Sequence, residues 1–440
     1  MRSRNWRQHL HSQLSKAQKE AVMHKDGPMM VLAGPGSGKT LVITKRIQYL
    51  ISHYQIPPQR ILVITFTRAA ANEMKERAEK MLKEKCGITA CTYHSFCVKM
   101  LRFYGKMAGI SPDFTIISGP DEADIIDIIK SELNFQKLKN MPSASVFASM
   151  LSTCINKRLT LEELLKEQKY WRFRQNERKL LLLREETKKY KEEHNLFNYD
   201  DILLKFDQML TDYSNIARRI EDTYRYIMVD EYQDTNTVQF QLVSLLAGKY
   251  KNLCVVGDDD QSIYKFRGAN IRNILDFEHE FPDAKVIKLE QNYRSTGNIL
   301  NAANSVIANN RGRKEKSLWT ENGEGELIRL RQFDTAFDEA DFIGEDIKSA
   351  VRQGGSYNDS AVLYRTNAQS RLLEEKFIAM NIPYKIVGGV NFYARREIKD
   401  LLAYLKTIDN GRDDVAVRRI INVPKRGIGL TTINRIQESA

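Results

Sequence analysis

A glycine-rich turn follows an apolar run near the start of the chain and leads into an amphipathic stretch, Leu41–Leu50. The turn consists of Ala33, Gly34, Pro35, Gly36, Ser37, Gly38, Lys39 and Thr40. Glycines let backbone N–H groups close around phosphate oxygens, and a helix that begins there adds the positive end of its dipole. A lysine at the end of such a loop reaches the β- and γ-phosphates, and the next hydroxyl binds Mg²⁺. We therefore expect this turn to bind a nucleoside triphosphate.

Two adjacent carboxylates, Asp230 and Glu231, follow another apolar run, Ile227–Val229. In a triphosphate site the first carboxylate holds Mg²⁺ through water, and the second orients and deprotonates the attacking water. An acidic pair after a strand is common by itself. Its occurrence with the glycine-rich turn, at a domain-scale separation, favours an NTPase.

Length and charge limit the class of protein. A chain of 440 residues predicts about two to four domains. The net charge of +12 favours a polyanionic partner such as nucleic acid, although many solvated surfaces are also basic. No apolar run is long enough to span a membrane, and the N-terminus lacks the apolar core of a secretory signal. We expect no membrane partner.

The cysteines suggest a compartment and one alternative site. Five cysteines in so long a chain indicate a reducing cytoplasm. Cys86, Cys91, His94 and Cys97 are close enough in sequence to suggest zinc. Cys97, however, falls on the apolar stripe of a predicted helix, which favours packing over metal binding.

Short apolar runs alternate with helical patterns, which predicts a parallel sheet covered on both faces. The predicted strands are Met29–Leu32, Ile61–Thr65, Ile88–Cys91, Tyr226–Val229, Leu253–Val256 and Val286–Leu289. We assign residues 1–110 and 195–285 to a first α/β domain. Residues 111–194 read as a helical insertion within it. Its charged stretch Asn176–Lys191 is typical of a solvent-facing helix, with DNA contact as the alternative.

A second, partial α/β domain is predicted for residues 286–391, and residues 392–440 read as the start of another helical insertion. Further strands of the second domain are expected at Ile328–Gln332, Ser360–Tyr364 and Pro383–Val387.

The sequence Asp-Glu-Tyr-Gln-Asp-Thr-Asn from Asp230 to Asn236 resembles motif II of the UvrD/PcrA/Rep family of superfamily 1 DNA helicases. Other segments resemble family motifs in the family's order: the Q motif at 14–18, Ia at 65–70, Ib at 92–96, III at 257–268, IV at 291–295, and later motifs at 364–371 and 392–400. The resemblance covers essentially the whole chain. It implies an α/β fold of P-loop RecA-like parallel-sheet domains with helical insertions, the second domain being incomplete. It also implies an ATP-dependent helicase that moves 3′→5′ on single-stranded DNA, acts at duplex junctions, and serves DNA repair or replication.

The resemblance implies nucleotide roles for four further residues. Gln18 would read adenine, and Tyr293 would stack on it. Gln261, just past a buried strand, would sense the γ-phosphate and report to DNA. Arg294 would act as an arginine finger, a role worth roughly 10³–10⁵ in rate in other NTPases.

Single-strand binding without sequence preference needs aromatic platforms together with basic or hydroxyl groups for phosphates. The predicted platforms are Phe66, Tyr199, Tyr264 and Phe266, and the predicted backbone contacts are Thr67, His94, Arg267 and Asn367. A core role for each aromatic, and a helix-capping role for His94, are the alternatives.

Some positions depart from the family pattern. Ala33 replaces the first glycine of the phosphate loop, and Phe266 stands where relatives usually have tryptophan. Arg68 and Ala69 replace the usual Asn-Lys, and Leu41 replaces an arginine that packs on adenine. The Leu41 departure bears on base selectivity and leaves the residues expected to bind the phosphates unchanged.

Motifs V and VI of the family do not occur before Ala440, so we expect a fragment of a longer helicase, with a naturally short protein as the alternative. Two other functions stay open at this point. One is a nucleotide-binding DNA adaptor with little turnover, and the other is the helicase part of a helicase–nuclease.

Overall fold

The computed structural model describes residues 14–83, 85, 87–265, 268–387, 396–410, 413–429, 432–433 and 435–436. The chain divides into two compact units, Met1–Leu327 and Ile328–Ala440. Phe266 and Arg267, both predicted DNA contacts, lie outside the described residues. No helix in the described ranges is long and apolar enough to cross a membrane.

A six-stranded parallel sheet forms the centre of the first unit, in the order β3-β2-β6-β7-β1-β8. Its strands are β1 (Met29–Ala33), β2 (Ile61–Thr65), β3 (Thr89–Thr92), β6 (Tyr226–Val229), β7 (Leu253–Gly257) and β8 (Lys285–Leu289). All six predicted apolar runs form strands within a residue or so of their expected bounds. The expectation of a parallel α/β sheet is therefore confirmed.

Alternate residues of each central strand enter two separate hydrophobic cores, one on each face of the sheet. Met30 and Leu32 belong to one core, while Met29 and Val31 belong to the other. Helices cover both faces, as burial of continuous apolar strands requires.

The helices of the first unit supply these covers and the insertion. They are α1 (Lys16–Met23), α2 (Lys39–Ser52), α3 (Arg68–Leu82), α4 (Tyr93–Tyr104), α5 (Gly119–Glu132), α6 (Ala144–Lys157), α7 (Leu161–Leu164), α8 (Glu177–Glu193), α9 (Tyr199–Asp212), α10 (Ser214–Thr223), α11 (Thr237–Ala247), α12 (Arg272–Leu275), α13 (Phe277–Glu280) and α14 (Gly297–Ile307).

Helices α5 to α8 form the predicted insertion between β3 and β6. Two short parallel strands, β4 (Thr115–Ile116) and β5 (Leu196–Phe197), pair with each other before and after these helices in the chain. The buried Lys191 ties the end of α8 to neighbouring helices, since its Nζ lies 2.9 Å from Glu122 Oε1 and 2.8 Å from Asp201 Oδ2. Most of this segment is helical, as its patterning predicts.

Strand β8 corrects the expectation that a second α/β unit begins near Val286. It pairs with β1 along its whole length, from Met29 opposite Lys285 to Ala33 opposite Leu289. Ile287 and Leu289 are buried in the same core as β1. An apolar run does not show which sheet it joins. The sequence therefore could not distinguish a strand of the first sheet from a strand of a second sheet.

The second unit is helical where the structure describes it, with α15 (Ala336–Arg352), α16 (Asn367–Ala379), α17 (Arg396–Asp409) and α18 (Asp414–Ile420). The strands expected at 328–332, 360–364 and 383–387 are absent from its described residues. Leu330 and Leu363 are more than 90% exposed. A strand needs a hydrogen-bonded neighbour, and no described segment of this unit supplies one.

Candidate active site

The motif residues of the first unit follow the carboxyl ends of its parallel strands and therefore meet at one edge of the sheet. The glycine-rich turn follows β1, Phe66 follows β2, His94 follows β3, and Asp230 follows β6. In open α/β sheets this edge is where ligands bind. The fold thus brings together segments that are up to 200 residues apart.

The phosphate loop runs from Gly34 to Gly38, and α2 begins at Lys39. Gly36 and Gly38 both have positive φ, at 67° and 88°. A Cβ on Gly36 would lie 2.6 Å from Asn292 Nδ2, and one on Gly38 would lie 2.9 Å from Gln18 Nε2. Both positions therefore require glycine. Ala33 is the last residue of β1 and is fully buried in the core, so its methyl group packs there.

Gln18 holds the phosphate loop in this structure. Its Nε2 donates to the Ser37 carbonyl oxygen at 2.9 Å, and the side chain is almost fully buried. Its Oε1 accepts from the Ser15 backbone N–H in a capping box at the start of α1. Adenine reading by Gln18 stays a prediction.

The carboxylate of Glu231, the predicted general base, faces the lysine of the phosphate loop. Glu231 Oε2 lies 3.4 Å from Lys39 Nζ. Glu231 itself adopts a left-handed backbone conformation, with φ 51° and ψ 45°. Such a conformation costs a non-glycine residue about 1–3 kcal/mol.

Asp230 is suited to a divalent cation. Burial and the neighbouring Glu231 carboxylate raise the pKa of Asp230 to about 6. Its Oδ1 is buried and has no hydrogen-bond partner. A positive ion would relieve both conditions, so Asp230, with the Thr40 hydroxyl, fits the Mg²⁺ role predicted for it.

Gln233 connects the Glu231 carboxylate to the loop after β7, a link that sequence reasoning missed. Its Nε2 donates to Glu231 Oε2 at 2.8 Å, and its Oε1 accepts from the Asp258 backbone N–H at 2.9 Å. The side chain is 1% exposed. Its place within motif II was the available signal, but the sequence did not indicate which atoms it joins.

Gln261 ends the short 3₁₀ helix Asp259–Gln261 in the loop after β7. Its Nε2 donates to Asp258 Oδ2 at 2.6 Å. Asp234, in motif II, lies near the same loop, and its pKa is raised to about 6, first by burial and then by Glu231, against hydrogen bonds from the Tyr264 and Ile263 backbone. Gln261, the predicted γ-phosphate sensor, is thus joined to the Glu231 carboxylate through Asp258 and Gln233.

The segment after β8 packs directly on the phosphate loop. Asn292 Nδ2 donates to the Pro35 carbonyl oxygen at 2.6 Å, and the Tyr293 backbone N–H donates to the Gly36 carbonyl oxygen at 2.9 Å. The side chains of Tyr293 and Arg294 are exposed there. The structure therefore brings Arg294 to the loop, and its action as an arginine finger stays a prediction.

A buried lysine neutralises three consecutive aspartates at this edge. Lys316 Nζ lies 2.8 Å from both Asp258 Oδ1 and Asp260 Oδ2 and also contacts Asp259. These carboxylates are the one acidic group in the described residues with the geometry of a metal site, and the ammonium group already bridges them. Burial alone would lower the pKa of Lys316, but the three carboxylates outweigh it and raise the pKa above its ordinary value. No motif marked Lys316 in the sequence.

Two aromatic pairs lie at the same edge. Phe66 and Tyr264 have ring centroids 4.8 Å apart, and His94 and Tyr199 are 5.3 Å apart. Phe66 is 36% and Tyr199 51% exposed, so both rings keep accessible surface. This arrangement supports the predicted stacking platforms.

The proposed backbone contacts differ in what they offer. Thr92, not His94, caps α4, so the capping role considered for His94 is wrong. Burial lowers the pKa of His94 to about 4, which leaves a neutral ring at neutral pH. Thr67 caps α3 and remains exposed. Asn367 begins α16 in the second unit, where it is exposed.

The zinc alternative has no support among the described residues. Cys97 is buried and Cys91 partly buried, and both are free. Burial raises the pKa of the Cys91 thiol to about 11, so the thiolate that zinc requires is disfavoured. Cys86 lies outside the described residues.

Phe66→Ala is expected to weaken binding of single-stranded DNA by about 1–3 kcal/mol, the usual value of one stacked base. A fluorescence titration with a labelled oligonucleotide measures the affinity. Phe103→Ala is the matched control, because Phe103 is an aromatic residue 74% exposed on α4. Equal affinities of Phe66→Ala and the wild type would exclude Phe66 as a platform.

A phosphate loop, an acidic pair after another strand of the same sheet and the parallel direction of that sheet define a P-loop NTPase of the RecA-like class. Residues 14–282 match the UvrD/REP helicase N-terminal domain, and residues 287–440 match the UvrD-like helicase C-terminal domain. The chain belongs to the UvrD-like helicase family.

Named relatives agree with this assignment. The chain is 45% identical over 432 residues to the ATP-dependent DNA helicase PcrA of Staphylococcus epidermidis, covering 97% of this chain and 58% of the relative. It is 44% identical over 429 residues to the protein of that name from Staphylococcus aureus, with the same coverage. The chain therefore spans a little over half the length of these relatives.

Proposed function

We propose that this chain is an ATP-dependent DNA helicase motor that couples ATP hydrolysis to movement on single-stranded DNA. The observation that carries the proposal is a hydrogen-bonded path from Glu231 through Gln233 to Asp258 and Gln261. This path connects the proposed ATP site to the loop that bears Tyr264, a proposed DNA contact. The helicase names of its relatives support the same activity.

In the proposed reaction, the phosphate loop and Lys39 bind the phosphates of ATP. Thr40 and Asp230 would hold Mg²⁺, which supplies charge neutralisation when bound. Glu231 accepts the proton of the attacking water, and Gln233 keeps its carboxylate oriented. Arg294 neutralises charge that develops on the transferred phosphoryl group.

The finer parts of the proposal follow from the family resemblance. They are 3′→5′ movement, action at duplex junctions, a role in DNA repair or replication, and the domain boundaries given above, apart from strand β8. A labelled partial duplex with a 3′ or a 5′ tail tests direction. Unwinding of the 5′-tailed substrate alone would contradict the proposed 3′→5′ direction.

Lys39→Ala is expected to abolish DNA-stimulated ATP hydrolysis, because the loop loses the cation that reaches the β- and γ-phosphates. Phosphate release is measured with and without oligo(dT). Lys45→Ala on the same helix is the control and should retain stimulation, because Lys45 lies about two turns beyond Gly38, where the loop ends. If oligo(dT) does not change the rate of ATP hydrolysis by the wild type, the proposed motor function is contradicted. A nucleotide-binding adaptor is then favoured.

A further inference from the structure

The helical insertion carries an exposed tryptophan. Trp171 begins the 3₁₀ helix Trp171–Asn176, which precedes α8, and is 67% exposed. Its neighbours Tyr170 and Phe173 are buried and anchor the segment in the insertion's core. The backbone is therefore fixed, and Trp171 is held outward although burial of its ring would be favourable.

Cations surround this ring. We use the name Trp171 surface for six exposed residues: Lys139, Lys169, Trp171, Arg172, Arg174 and Arg178. Residues three apart eclipse each other in a 3₁₀ helix, so Trp171 and Arg174 share one face. The side-chain amides of Gln175 and Asn176 donate to the Lys139 carbonyl oxygen at 3.0 and 2.9 Å and bring that loop alongside.

None of the five cations of this surface has an acidic partner among the described residues. Some other cations of the insertion are paired: Lys157 with Glu167, Arg158 with Asp207, Arg184 with Glu185, and Lys189 with Glu193. Arg172 lies over the Phe173 ring and Lys169 over the Tyr170 ring, at 4.7 and 5.0 Å from the centroids. Glu177 is the acidic residue within the segment, at the start of α8. The surface thus holds concentrated positive charge at fixed positions.

An exposed ring among unpaired cations matches the chemistry of a single nucleic-acid strand, in which bases stack on aromatics and phosphates meet cations. We propose that the Trp171 surface is a second contact for single-stranded DNA, separate from the strand-end edge that bears Phe66, Tyr264 and Tyr199. The inference rests on the proposed function, because that function supplies single-stranded DNA as the ligand. It adds a second binding site for that DNA.

The distance between the two contacts sets the length of DNA that can reach both. Helix α8 separates the Trp171 surface from the segment leading to Tyr199, and its 17 residues span about 25 Å. At about 3.4 Å per nucleotide of a strand, that is roughly seven nucleotides. An oligonucleotide of about four nucleotides can reach only one contact, whereas one of about thirty spans both.

Binding of labelled oligo(dT) of these two lengths tests the proposal in the whole chain. Trp171→Ala should weaken binding of the long oligonucleotide about 5- to 150-fold, the equivalent of one stacked base, and leave the short one bound as in the wild type. Arg172→Gln with Arg174→Gln should lower the salt dependence of long-oligonucleotide binding by about 1.4 in the log–log slope, at about 0.7 per strand phosphate. Basal ATP hydrolysis should not change in either variant.

Lys189→Gln and Phe103→Ala are the matched controls, since each changes a similar exposed group outside the surface. Equal affinity of Trp171→Ala and the wild type for the long oligonucleotide would overturn the proposal. Equal weakening for both lengths, or weakening for a blunt duplex alone, would also overturn it. Failure of the wild type to bind the short oligonucleotide would contradict the proposed function instead, so the two failures are distinguishable.

Discussion

Glu231→Gln is expected to bind ATP with wild-type affinity and to hydrolyse it about 10²–10⁴-fold more slowly, the usual contribution of a general base. The amide keeps the size of the side chain but cannot accept a proton from water. The carboxylate is held by Lys39 at 3.4 Å and by Gln233 at 2.8 Å. Equilibrium binding of a fluorescent ATP analogue and steady-state phosphate release on the same preparation separate the two effects.

The loss should be specific to the position of this carboxylate. Glu345→Gln is the control, since Glu345 is an exposed residue of the second unit that pairs with Arg352. It should leave both affinity and turnover unchanged. Turnover by Glu231→Gln within about twofold of the wild type would show that another group accepts the proton.

Lys316→Met is expected to lower the free energy of unfolding by about 3–5 kcal/mol, the usual cost of removing one partner from a buried ion pair. The lysine side chain is 2% exposed and contacts three carboxylates. Arg313, with nitrogens 2.8 and 2.6 Å from the Asp260 oxygens, would remain to neutralise one of them. Urea denaturation measures the change.

The neighbouring lysine provides a matched control. The Lys314 side chain pairs with Glu278, which is half exposed, so Lys314→Met should cost about 0–1 kcal/mol. Its backbone N–H still donates to Asp259 Oδ2. Equal, small losses in the two variants would show that the Lys316 cluster contributes little to stability.

The same cluster predicts a pH dependence. Burial would raise the pKa of Asp260, but Arg313 and Lys316 outweigh it and hold the pKa below its ordinary value. A carboxyl with a lowered folded-state pKa contributes stability above its unfolded pKa of about 3.9 and loses it as the pH falls further. The deficit of Lys316→Met relative to the wild type should therefore be full at neutral pH and shrink in acid.

The sequence by itself determined the local chemistry and the main sheet of the first unit. Lys39, Asp230 and Glu231 were predicted as site residues because a phosphate loop and an acidic pair need those residue types directly after strands, and their roles stay predictions. The six strands were identified because a buried parallel strand must be a short apolar run. Their parallel direction then required the motifs to meet at one edge.

Tertiary structure decided which sheet each strand joins and which side chains meet across distant segments. Strand β8 entered the first sheet because β1 offered it a free edge, whereas the runs at 328–332 and 360–364 have no pairing neighbour among the described residues. Lys316 meets the three aspartates, and Gln233 joins Glu231 to Asp258, only because the chain folds back on itself. Strand pairing and buried ion contacts depend on partners far away in the chain. A local sequence pattern does not show which distant strand or charged residue will be the partner.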